Sequence, residues 1–139
     1  QAARQQVHVE SIAGVAEAYS QLARLQGGNA DSTTGDTSAA LENQGRALAM
    51  RQKLAVRYSG NAAYQRDLAE SYLSISEILG ARKQPASQER NAALALETYR
   101  RVLSINPSDR AALEGVAASH RAIGAAKESL GKMKDAAAG

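Results

Sequence analysis

Residues 14–23 read GVAEAYSQLA, residues 67–76 read DLAESYLSIS, and residues 115–124 read GVAASHRAIG. The three align without gaps. Each puts an aliphatic residue second, a ring sixth, Leu or Ile ninth, and a small residue tenth. Self-similarity at a fixed interval is the mark of a repeat array, in which one supersecondary unit is stacked several times. A second pair of segments, ALENQGRALAM from Ala40 and ALETYRRVLSI from Ala95, alternates with the first set, and KMKDAAA follows Gly131 as a remnant of a further copy.

Every one of these arms has helical spacing. Ile12, Val15, Tyr19, Leu22 and Ala23 recur at steps of three and four, as do Leu68, Tyr72, Ile75 and Leu79, and then Leu113, Val116, His120, Ile123 and Leu130. The alternate arms repeat the pattern through Ala40, Leu41, Ala47, Leu48 and Leu54, and through Ala95, Leu96, Tyr99, Val102 and Leu103. These stripes are expected to form the core, with Tyr19, Tyr72, Tyr99 and His120 packing between helices. Helices of this kind bury their stripes only by stacking. The breaks carry turn chemistry: Gly27-Gly28 and Gly35-Asp36, Pro85-Ala86-Ser87, and Asn106-Pro107-Ser108-Asp109. Asp36 or Thr37, and Ser87, are the expected N-caps.

Composition agrees with an all-α reading. The 139 residues suffice for one domain, and they are 44% hydrophobic but only 4% aromatic, with no Phe or Trp, so close packing through Ala, Leu, Val and Ile is favoured. The lack of Cys excludes disulfides, thiolate zinc sites and cysteine nucleophiles. The net charge of +3 is spread along the chain, and no apolar run approaches the roughly 20 residues that span a bilayer. Direct membrane insertion is not expected.

The sizes at fixed steps resemble the tetratricopeptide repeat, an antiparallel helix pair. Ile123-Gly124, Gly131 and Ala136 fall at that family's intervals, and Ala23, Ser76, Gly124, Ala40 and Ala95 stand where its helices approach closely. Asn106-Pro107 falls where its helix-ending proline belongs. The resemblance covers roughly residues 11–138, with repeats about 50 residues apart in place of 34. It implies an all-α solenoid of about two and a half extended repeats: repeat one over about 11–58, repeat two over about 62–106, and a partial third over about 109–138, after an N-terminal lead at 1–10. The fold is then five long helices plus a short C-terminal one.

A narrower likeness lies in residues 18–54, AYSQLARLQGGNADSTTGDTSAALENQGRALAMRQKL, which resemble the repeat region of certain bacterial serine/threonine protein kinases. That likeness implies a sensory or scaffolding region of a signalling enzyme, lying on either face of a bacterial membrane. None of the kinase signatures is present: no glycine-rich loop before a strand, no His-Arg-Asp and no Asp-Phe-Gly.

The motifs that could carry chemistry fail on spacing. In the 27–36 stretch, Gly35 is followed by Asp36, where a phosphate loop needs lysine and a hydroxyl. A calcium loop from Asp31 would reach Glu42 at its last ligand, but it has Thr33, Gly35 and Asp36 at places that demand other residues. The stretch therefore reads as a lengthened turn. His8 and His120 are far apart, and no glycine-bracketed serine elbow exists. Arg46, Lys53 and Arg57 share a helix face near Arg51, without the exposed aromatics that nucleic-acid binding would call for.

The reading is thus a non-catalytic interaction module without cofactor or metal. In stacked pairs the first arms line a concave groove. That placement makes Glu17, Ser20, Arg24, Glu70, Leu73, Ser74, Glu77, Arg121, Ala125 and Glu128 the groove candidates, facing a peptide or protein partner. The lysines and asparagine of a carboxylate clamp are missing, so an acidic C-terminal tail is not the expected ligand. The last arm, left with a short partner, is expected to dimerise at the C-terminal end or to be mobile after Leu130.

Overall fold

The computed structural model describes residues 2–27 and 36–138. Five helices account for them: α1 (Ala2–Gly27), α2 (Thr37–Arg57), α3 (Ala62–Ala81), α4 (Pro85–Ile105) and α5 (Arg110–Ala138). No strand occurs among the described residues. The all-α expectation holds. The expected separate short helix does not form, because α5 runs unbroken through Gly124 and Gly131 to Ala138. A glycine inside a helix costs only about 1 kcal/mol, which the flanking Ala, Lys and Leu residues offset.

Capping follows local chemistry. Asp36 Oδ1 accepts from the Ala39 amide at 2.9 Å, Asn61 Oδ1 from Tyr64 at 3.0 Å, and Asp109 Oδ1 from Ala112 at 2.9 Å. Each satisfies an amide that the first helical turn leaves orphaned. The start of α4 differs from expectation: Ser87 is not its cap. Pro85 occupies the first helical turn after Gln84, which makes no side-chain cap. Proline suits that place because its missing N–H would have found no helical acceptor. Between α3 and α4, Lys83 has φ 59°, its amide bonds to Gly80 O, and the Gln84 amide bonds to Leu79 O. This is a Schellman closure with lysine where glycine is usual.

The helices pack in chain order: α1 on α2, α2 on α3, α3 on α4 and α4 on α5, with α3 also touching α5. No extensive contact joins α1 or α2 to α4 or α5. Small side chains make the approach close. Ala23, Ala40, Ser76 and Ala95, four of the five positions where sequence called for small residues, are fully buried or nearly so. Gly124, the fifth, is exposed, with open space where a side chain would be. A buried cluster gathers Ala69, Ala95, Tyr99, Val102 and Ala112 where α3, α4 and α5 meet.

On α2, α3 and α4 the expected stripes are largely buried, through Leu54, Leu68, Ile75, Leu79, Leu96 and Val102, but the buried faces of α1 and α5 are rotated from the stripes the larger residues suggest. On α1 the inside is Ala16, Ser20 and Ala23, while Val15 and Leu22 are 46% and 44% exposed. On α5 it is Ala112, Gly115, Ser119 and Ala126, while Leu113 is 51% exposed and His120 stands in solvent. One residue is about 100° of helix, so a shift of a single place exchanges Ser119 for His120 at the interface. Contact distance decides the matter: a face of Ala, Ser and Gly brings two backbones together, and a face of Val and Leu holds them apart. Tyr99 is buried as expected; Tyr19 and Tyr72 are only half-buried. Past Leu130 every described residue of α5 is exposed. None of the described helices is long and apolar enough to cross a membrane.

Candidate functional site

The ten groove candidates lie on α1, α3 and α5, and the structure sorts them into two groups. Arg24, Ser74 and Glu77 line an open cleft of about 360 Å³ between α1, α2 and α3, with Ala23, Gln44 and Ile78 among its other walls. Glu77, Arg121 and Ala125 line a second cleft of about 460 Å³ between α3, α4 and α5, together with Gly80, Gln88 and Ser129. Glu77 belongs to both. The remaining five candidates do not line these clefts. Leu73 packs against the α3–α4–α5 cluster, and Glu128 pairs with Lys132 at 3.2 Å on the outer surface of α5.

Glu17, Ser20 and Glu70 belong to an ionic network at the edge of the first cleft. Arg24 donates to Glu17 Oε1 at 3.0 Å, to Glu70 Oε1 at 3.0 Å and to Ser20 Oγ at 3.2 Å. Arg51 on α2, only 3% exposed, donates to Glu17 Oε2 at 2.7 Å and to Ser71 Oγ at 2.8 Å. Three helices are tied together by two guanidinium groups. Burial raises the pKa of neighbouring Asp67, and the attraction of Arg51 opposes that rise. These side chains satisfy one another, so their work is to hold α1, α2 and α3 in place. In the sequence Arg51 stands only as a neighbour of the Arg46, Lys53 and Arg57 face, and this role does not follow from that placement. The signal was present, since Ala47, Arg51 and Leu54 are spaced four and three apart on the buried stripe of α2.

Glu77 is different. No cation lies within salt-bridge distance of it among the described residues, and burial alone pushes its pKa upward. Glu77 is exposed at the rim of the clefts, and a carboxylate without a counter-ion there favours a cationic or hydrogen-bond-donating guest. Around it stand the Arg24 guanidinium, held by its two glutamates, the hydroxyl of Ser74 and the buried amide of Gln44. Gln88 lies across Gly80, where an added Cβ would meet its Nε2 at 2.7 Å. This set can bind and orient polar groups.

No cluster of three or more His, Cys, Asp or Glu side chains that could hold a metal occurs among the described residues. His8 and His120 are exposed on α1 and α5. The phosphate-loop and calcium-loop readings of the 27–36 stretch fall largely on residues outside those described. Comparison with protein-family models, with curated proteins and with solved structures finds no match for this chain.

Proposed function

We propose that the chain is a non-catalytic protein-binding module, a solenoid of tetratricopeptide-like helix pairs that takes an extended peptide or a partner's helix along α1, α3 and α5. The observation that carries this reading is Glu77, an exposed carboxylate with no salt-bridge partner among the described residues, shared by two adjoining clefts. A ligand lying across both clefts would place a lysine or arginine at Glu77 and acceptors toward Arg121. Packing that follows chain order, with α3 also touching α5, supports the solenoid, because α1 and α2 stay clear of α4 and α5 and leave a face for a ligand.

Selection of peptides from a random displayed library against the full chain tests it. The reading calls for enriched peptides with a basic residue, whose affinity falls about tenfold or more on Glu77→Lys and less on Arg121→Glu. Failure to enrich any peptide, or enriched peptides indifferent to both substitutions, would overturn it.

A further inference from the structure

The flank of α1 that carries its bulky residues borders a cleft formed between α1 and the C-terminal half of α2. That cleft, about 510 Å³, has walls of Val9, Ile12, Val15, Met50, Leu54 and Tyr58. Its charged lining residues are Lys53 and Arg57, with His8 beside them, and no carboxylate lines it. Neither Lys53 nor Arg57 has a carboxylate partner among the described residues. Beyond the cleft the flank continues through Tyr19 to Leu22, and there the Arg46 guanidinium stands 5.7 Å from the Tyr19 ring centre. Lys53 and Arg57, four residues apart on α2, border this apolar strip of α1, while Arg46, seven residues before Lys53, is already paired with Glu42 at 2.6 Å.

We infer that this strip is a docking surface for an acidic amphipathic helix of a partner protein. Its length decides for a helix: from Ile12 to Leu22 the strip runs roughly 15 Å at helical rise, about three turns of a guest. Its charge decides for an acidic one. A second copy of the chain related by a two-fold would set Lys53 and Arg57 against their own equivalents, and the exposed end of α5 offers Lys127, Lys132 and Lys134 against only Glu128 and Asp135. A guest with leucines at three- and four-residue steps and glutamates on its flank would cover the apolar strip and pair the cations. This surface is distinct from the clefts at Glu77.

The test uses two fluorescein-labelled helical peptides titrated into the full chain, both with Leu at helical steps, one with Glu and one with Lys at the remaining positions. The Glu peptide is expected to bind saturably, at least about tenfold tighter than the Lys peptide, and to weaken as salt is raised. Lys53→Glu with Arg57→Glu, and separately Val15→Asp, should each weaken it about tenfold, while Glu77→Lys leaves it unchanged. All four positions are solvent-exposed, and an unaltered unfolding midpoint for each variant establishes that the fold is intact. Equal binding of both peptides, or no saturable binding, would overturn the inference. So would concentration-dependent dimerisation abolished by Val15→Asp, or preference for anionic phospholipid vesicles over the Glu peptide.

Discussion

The ring of Tyr99 lies against the backbone of Gly115, so closely that a Cβ added there would stand 2.4 Å from the ring's Cζ and 2.5 Å from each Cε. This contact sets the spacing of α4 and α5. Gly115→Ala should destabilise the fold by about 1–3 kcal/mol, since the ring is buried and has no room to yield. Gly14, at the aligned position of the first repeat segment, faces open space. Gly14→Ala should therefore stabilise by about 0.5–1 kcal/mol through helix propensity alone. Denaturant unfolding of the two variants should give opposite signs.

The Arg51–Glu17 pair joins α2 to α1 through a guanidinium withdrawn from water. Arg51→Ala is expected to cost about 2–4 kcal/mol, because Glu17 and Ser71 lose a shared donor and a cavity opens. Glu17→Gln should cost less, about 1–2 kcal/mol, as Glu17 is itself half-exposed and Ser71 still holds the arginine. A thermodynamic cycle on the two should show coupling. Equal, additive losses would mean that the pair does not act as a unit.

Lys83 closes α3 in the left-handed region, where any residue with a Cβ is strained. Lys83→Gly should raise stability by up to about 1 kcal/mol, the relief of strain being partly offset by greater freedom in the unfolded chain. Thermal unfolding measures it. A loss of stability would contradict the Schellman geometry.

Acid pH should act in two steps. The Ala112 amide, aided by Arg66, holds the Asp109 carboxyl below its usual range. Its contribution is present above the ordinary carboxylate pKa and is lost as pH falls through the lowered folded value. Burial instead raises the pKa values of Glu77 and Asp67. Protonation of these two favours the folded state, so stability should rise slightly as pH falls through their raised values before the loss at Asp109 takes over. Asp109→Ala should cost about 1–2 kcal/mol at neutral pH and flatten the acid limb. Glu77→Gln should remove part of the rise that precedes it.

Much of the fold was legible as sequence because helix type, breaks and close-approach positions each leave a local trace. Pro85, Asp36 and Asp109 stand at helix starts, and Ala23, Ala40, Ser76 and Ala95 at close contacts, in keeping with their chemistry. The rotation of the α1 and α5 faces was not legible. Val15 and Ala16 are adjacent, and hydrophobicity ranks valine above alanine, yet alanine is inside because only a small residue lets α1 reach α2. The same competition put His120 outside and Ser119 inside. Of the site, Arg24, Ser74, Glu77, Arg121 and Ala125 meet at the two clefts. Glu17, Ser20 and Glu70 were placed on the right helices, but their pairing with Arg24 and Arg51 depends on how helices sit across from one another. Helical periodicity does not encode that.

The central claim is that α1, α3 and α5 present one recognition face centred on Glu77. Amide chemical-shift mapping of the full chain with a library-selected peptide tests it most directly. The account predicts perturbations concentrated at Ser74, Glu77, Arg121 and Ala125, abolished by Glu77→Lys. Perturbations confined to α2, or to the outward flank of α1 around Val15 and Leu22, would contradict it.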